Sequence, residues 1–210
     1  MYEVMLMCIN SPLYYAVYKD RKLAFDAKID GKTLDALYQM QCGLKQKNIE
    51  IKTIYYARGP GNLSALKLTH TFLHTLAVVE NVELKACDSF DLLCNSLEEG
   101  LGEVAIFAYG KRYFIKRGGE IKCVFLENLD KELDSSDIVD NADVNVAKSS
   151  LIKESSLDVN EAKSKKTKKH ISTAKSFVVF DSSVDFRFPH KLDIALFTSP
   201  CEPLYVLPPV

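Results

Sequence analysis

His70 and His74 stand four residues apart in a stretch with helical spacing, so their imidazoles share one face, a geometry that can hold zinc. The run His70-Thr71-Phe72-Leu73-His74 lacks the glutamate of a helical metalloprotease pair, and no third ligand is readable. The favoured reading is two amphipathic histidines at a helix–helix contact. A second place for chemistry is Gly59-Pro60-Gly61, followed by Asn62. A glycine turn at a helix N-terminus leaves free N–H groups that suit an anion, but the same turn also lets a strand reverse tightly into a helix. No Lys-Ser/Thr pair follows Gly61, so the pattern is not a phosphate loop, and Gly59, Pro60 and Gly61 are read as a structural turn. Nucleophilic catalysis needs a base oriented by a third group, and the four histidines (His70, His74, His170, His190) give no readable triad. No catalytic residue, metal site or cofactor site is assigned.

The elements that would position these residues follow from periodicity. Val4 to Ile9 is a continuous apolar run, the pattern of a strand buried on both faces. Leu13 to Tyr18 and Leu23 to Ala27 flank the polar turn 19–22 and read as a hairpin. Thr33 starts a helix to about Lys47, weakened at Gly43, with Leu34, Leu37, Tyr38 and Gln41 on one side. Ile49 to Ala57 is a fourth strand. Asn62 then caps a helix that runs to about Val79. Two apolar stripes are visible on that helix. Leu68, Phe72, Leu76 and Val79 are expected to face the sheet, and Leu63, Leu66, His70, Leu73 and Ala77 lie at a different angle. Val82 to Ala86 is a short strand and Ser89 to Leu97 a third helix. Three further strands follow, at 103–109, 111–116 and 121–126, with turns at Gly110 and at Gly118-Gly119. Order resumes at 177–181 and 192–197. The fold class is α/β, a mixed sheet with an antiparallel hairpin and parallel crossovers.

With 210 residues the chain is one domain or two small ones, and 47% hydrophobic residues is the share of a soluble globular protein. A formal charge of -1 gives no sign of a dedicated nucleic-acid binder, and no apolar run approaches a membrane span. The start, Met1 to Val4, has an acid where a signal peptide would be basic. The six cysteines form no Cys-x-x-Cys pair and fall in apolar stretches, which fits a reducing cytoplasm. Residues 148–175 hold eight lysines against three acids, a net of +5, with no aromatic residue. A solvated linker is the favoured reading, and a basic arm touching nucleic-acid phosphates through Lys163, Lys165, Lys166, Lys168 and Lys169 is the functional one.

The segment Arg58-Gly59-Pro60-Gly61-Asn62-Leu63-Ser64-Ala65-Leu66-Lys67 resembles the Arg-Gly-Pro-Gly-Ser-Phe-Thr-Gly-Leu-Arg segment of the bacterial TsaB (YeaZ) family. Residues 77–93 continue it with a helix end, a short strand and a helix start, and the resemblance covers roughly the first 115 residues. The tail Pro203-Leu204-Tyr205-Val206-Leu207 resembles the family's Pro-x-Tyr-Leu-Arg ending, with Leu207 in place of the arginine.

The resemblance implies an actin-like ATPase (ASKHA) half-domain at residues 1–100. A reduced second half-domain at 101–210 would contain the basic segment. It places the family's first-strand acid at Asn10, and an amide cannot replace a carboxylate toward a hard cation. The catalytic relative TsaD carries a metal-binding His-x-x-x-His pair where this chain has Cys87-Asp88-Ser89-Phe90-Asp91.

The implied role is therefore a non-catalytic subunit that scaffolds TsaD and helps recruit the ATPase TsaE. Together they form the threonylcarbamoyl group on adenosine 37 of tRNAs reading ANN codons, and TsaC supplies the activated intermediate. By the resemblance the TsaD interface would be Leu34, Leu37, Tyr38 and Gln41 on the first helix with Leu63, Leu66, His70, Leu73 and His74 on the second. tRNA would be met through the complex. The competing readings are a small actin-like ATPase or phosphotransferase, and a homodimer that uses the same helices without TsaD.

Overall fold

The structure is a computed structural model and describes residues 2–96, 104–117, 119–125, 178–180 and 186–206. The strands are β1 (Tyr2–Met7), β2 (Leu13–Lys19), β3 (Lys22–Ile29), β4 (Ile51–Ala57) and β5 (Glu83–Cys87) in the first half. They form one sheet in the order β3-β2-β1-β4-β5. β1 pairs antiparallel with β2 and parallel with β4, and β4 pairs parallel with β5. The helices are α1 (Thr33–Gln46), α2 (Leu63–Glu80) and α3 (Ser89–Ser96). This strand order, with a hairpin at one edge and two parallel crossovers, is a mixed α/β fold.

Each strand's burial follows from its place in the sheet. β1 is central, and its two faces feed two cores. Val4, Leu6 and Cys8 pack with Leu37, Met40, Leu44, Leu73 and Leu76 under α1 and α2. Met5, Met7 and Ile9 pack on the opposite face with Tyr14, Tyr18, Tyr55, Phe90, Ile106, Phe114 and the aromatic run Phe180, Phe186, Phe188. β3 lies at the edge and alternates exposed and half-buried residues along its length.

A second sheet has the order β8-β7-β6-β9, made of β6 (Val104–Tyr109), β7 (Arg112–Arg117), β8 (Glu120–Phe125) and β9 (Val178–Phe180). β6, β7 and β8 form an antiparallel meander, and β9 joins β6 in parallel. That arrangement repeats the β3-β2-β1-β4 part of the first sheet. Periodicity shows the three strands of the meander but not the repeat, because the fourth strand lies more than fifty residues further along the chain. The basic segment 148–175, including the five lysines of the candidate arm, lies outside the described residues. Residues 192–197, expected as an ordered segment, contain a short 3-10 turn at Ile194–Leu196, capped by the Asp193 side chain on the Ala195 N–H. No helix among the described residues is long and apolar enough to cross a membrane.

Candidate functional site

The Gly59-Pro60-Gly61 turn lies where three parts of the chain meet. Gly59 has φ +125, and a Cβ there would stand 2.7 Å from the Leu204 carbonyl oxygen. A Cβ on Gly61 would stand 2.6 Å from both Cβ and the carbonyl oxygen of Ile9. Both glycines are therefore required by close approach of backbone, one to the C-terminal segment and one to the end of β1. The Gly59 carbonyl accepts from the Ser89 N–H at 2.7 Å, tying the turn to the start of α3. Next to it the Arg58 Nε donates to Asp88 Oδ1 at 2.9 Å, both side chains mostly buried.

The N-terminus of α2 does not present free donors in the way an anion site would. Asn62 accepts from the N–H groups of Ser64 and Ala65 through its own Oδ1, at 3.1 and 3.2 Å. Its N–H donates to the Ile9 carbonyl at 2.8 Å and to Asn10 Oδ1 at 3.2 Å. The two side-chain amides then reach the second sheet. Asn10 Nδ2 donates to the Phe107 carbonyl at 3.1 Å, and Asn62 Nδ2 to the Ala108 carbonyl at 3.4 Å. Position 10 and the turn thus act as a tie between the sheets. Asn62→Ala removes the cap and the tie to Ala108. It is expected to cost about 1–2 kcal/mol of stability, read as a lower urea midpoint with an unchanged slope.

A cavity of about 930 Å³ opens beside this tie, lined by Asn10, Ser11, Gly31, Lys32, Thr33, Asn62, Ala65, Leu68, Phe107 and Tyr113. A magnesium-bound nucleotide is the ligand to test at such a place. The lining does not fit one. Its charge is the single cation Lys32, and among the described residues lining it none is a carboxylate that could hold a hard cation. Five of the six thiols are not activated either. Burial pushes Cys8 up to about 12, and it raises Cys87, Cys94, Cys123 and Cys201 above the ordinary thiol value as well. That is opposite to the lowering a nucleophile needs.

The residues expected to face a partner divide into two groups. Leu37, Leu66 and Leu73 are buried in the chain's own core, which corrects the expectation that they form an interface. Leu34 and Tyr38 on α1 are exposed, Tyr38 by 63%. Gln41 donates to Glu80 Oε1 at 2.9 Å, and Lys45 pairs with the same oxygen at 2.6 Å. These contacts bring the α1 edge that carries Leu34, Tyr38 and Gln41 alongside α2. The stripe Leu68, Phe72, Leu76 and Val79, expected to face the sheet, is only partly inward. Leu76 is buried and Phe72 half-buried, whereas Leu68 and Val79 are exposed, Val79 by 74%. The true core stripe is Ala65, Leu66, Thr69, Leu73 and Leu76. Thr69 satisfies its hydroxyl on the Cys8 carbonyl at 3.1 Å, so a polar residue is accommodated at the centre of that stripe. Leu34, Tyr38, Leu68, Val78 and Val79 are thus the exposed apolar residues of these two helices, and Leu68 lines a cavity beside the start of α1 with Lys32 and Thr33.

Leu63 is half-buried and lines a smaller cavity of about 250 Å³ with Leu66, Tyr109, Phe114, Leu204 and Tyr205. His70 and His74 do not lie at a helix–helix contact, as expected from spacing. They face the C-terminal segment, where His74 Nε2 lies 3.0 Å from the Cys201 carbonyl oxygen. Among the described residues no group of three His, Cys, Asp or Glu is arranged to hold a metal ion.

No family model matches the chain, and no curated protein matches it. Among solved structures it is similar to YeaZ from Pseudomonas aeruginosa, at 15% identity and a TM-score of 0.47 over 59% of this chain and 63% of that one. It is also similar to the cytoplasmic domain of EpsL, an inner membrane component of the type II secretion system of Vibrio cholerae, at 9% identity and a TM-score of 0.36 over 65% of this chain and 75% of that one. A third is the Aquifex aeolicus member of the Ppx/GppA family, at 15% identity and a TM-score of 0.29 over 65% of this chain and 56% of that one. The chain thus spans less than two thirds of the length of the YeaZ structure it is similar to.

Proposed function

We propose that this chain is a non-catalytic, TsaB-like subunit that docks on a TsaD-like protein. In the cytoplasm it would help recruit a TsaE-like ATPase to form the threonylcarbamoyl group on adenosine 37 of tRNAs reading ANN codons. Residues 1–100 would be the docking half-domain and 101–210 the second half, held to it by Asn10 and Asn62. The observation that carries the reading is the exposed apolar surface of α1 and α2, with Leu34, Tyr38, Leu68 and Val79 outward. An apolar surface of this kind on two packed helices marks a partner-binding site. The motif around Arg58–Lys67 supports the family. Asn10 and its tie to the second sheet support a role without nucleotide chemistry.

The same surface favours a second reading, a homodimer of the isolated chain, because an uncovered apolar face seeks cover. Purifying the chain with the TsaD of the same organism, followed by size-exclusion with light scattering, tests both. The expected result is a one-to-one complex lost in Leu68→Glu/Val79→Glu, whose unfolding free energy from urea melts stays within about 0.5 kcal/mol of the parent, as for exposed substitutions. A complex that survives the double variant, or a chain that ignores TsaD, overturns the proposal. Homodimers without a TsaD complex would establish the second reading.

A further inference from the structure

The C-terminal residues Ser199–Val206 cross α2 and the ends of β4 and β5 as a strap. Ser199 donates its N–H to the Ala86 carbonyl at 3.0 Å, and the Leu204 N–H bonds the Arg58 carbonyl at 2.9 Å. Cys201 Sγ donates to the Leu84 carbonyl at 3.3 Å. The Cys201 carbonyl accepts from the Tyr56 hydroxyl at 3.0 Å and from His74 Nε2 at 3.0 Å. That second bond fixes His74 with its proton on Nε2. The ring of His70 lies against that of His74, with centroids 4.1 Å apart, and His70 Nδ1 is shut off from solvent without a hydrogen-bond partner. A proton placed on that nitrogen would have no acceptor and would face a second imidazole at contact distance.

We propose that the close, tilted pair His70–His74 is an acid-sensitive latch: with His70 neutral the strap is held over α2, and protonation of His70 releases it and opens the small cavity under Tyr205. Several charged or titratable groups face the pair or the carbonyl it holds. Glu202 and Cys201 come from the strap, Tyr56 from β4 with Arg58 just beyond its end, and Glu83 from β5, acting on Cys201.

Burial lowers the His70 pKa, His74 lowers it further, and Glu202 opposes with a smaller upward pull. With the strap lifted, His70 regains water and its ordinary value of about 6.5. The open form then binds more protons than the closed one. Closure is therefore fully favoured above that value and is lost as pH falls below it.

Hydrogen exchange of the full chain, followed on amides of residues 199–206 and corrected for the intrinsic pH dependence of exchange, tests this. One proton limits the change to tenfold per pH unit, and strap protection is expected to fall at least about threefold between pH 7.5 and 5.5, with β1 amides unchanged. In His70→Gln the dependence should disappear. In Glu202→Gln, a change at an exposed side chain that does not threaten the fold, it should steepen because the opposing charge is gone. Three results overturn the latch: equal corrected protection at both pH values, the full parental loss in His70→Gln, or a loss of β1 protection that matches that of the strap. A Glu202→Gln profile no steeper than the parent's also does so.

Discussion

Gly59→Ala is expected to destabilise the protein by about 3–5 kcal/mol, combining the cost of a strained φ with that of overpacking. The φ of +125 lies where L-residues with a side chain rarely go, so the new methyl brings strain before it meets any neighbour. It then meets the Leu204 carbonyl oxygen at 2.7 Å and Leu66 Cδ1 at 3.1 Å. The first is backbone of the strap, and that strap residue is itself bonded to Arg58 next to the turn, so the oxygen cannot move alone. Relief requires either lifting the strap or shifting the turn, and the turn is fixed by the Ser89 N–H on the Gly59 carbonyl and by the Asn62 bonds to Ile9 and Asn10. Gly43→Ala is the control. It lies inside α1, a Cβ there meets nothing within 4 Å, and it should stabilise by about 0.5–1 kcal/mol through helix propensity. Urea unfolding of the two variants reads both effects. A loss below about 1 kcal/mol in Gly59→Ala would show that the turn is not fixed in the way the close approaches imply.

The turn was legible because glycine and proline carry their meaning locally. The element order through α3 was legible for the same reason, since each strand or helix declares its period within ten residues. The Asn62 cap, too, needs only its neighbours. What could not be read is what depends on distant chain. The parallel pairing of β6 with β9 joins Val104 to Val178, and only the folded chain brings these together. The tie from Asn10 to Phe107 spans ninety-seven positions. In sequence, Asn10 is merely an amide after the first strand; the structure gives that amide two partners. The histidine pair shows the same limit. Spacing puts His70 and His74 on one face, which is correct, but the identity of what covers that face, the strap at Cys201, lies one hundred and twenty-seven residues from His74.

Leu73→Glu is expected to abolish folding or to cost more than about 4 kcal/mol, whereas Leu68→Glu should be nearly neutral. Both leucines belong to α2 and both sit in an apolar stripe, so hydrophobicity alone cannot rank them. The angle between the two stripes is what decides. Leu73 is fully buried among Leu37, Met40, Ile54 and Tyr56, where a carboxylate would find neither water nor a cation. It would be held neutral or drive the helix off the sheet. Leu68 opens onto the larger cavity, where a carboxylate stays hydrated and Lys32 is among the lining residues.

The periodic reading assigned these positions the wrong way round because α2 is apolar over most of its circumference. Ser64, Lys67, Thr71 and Thr75 mark an exposed polar side, but the apolar arc that runs from Leu68 and Val79 through Leu76 to Leu73 and Leu66 is wider than the sheet covers, so its centre and its edge look alike in sequence. A helix built only to cover the sheet would expose polar residues at 68, 78 and 79. That this one exposes leucine and two valines is a cost in water that a covering partner would remove. Circular dichroism and urea melts of the two single variants decide the facing. A folded Leu73→Glu, or a Leu68→Glu that loses stability like a core variant, would reverse the assignment of the stripes and remove the exposed apolar face as a partner surface.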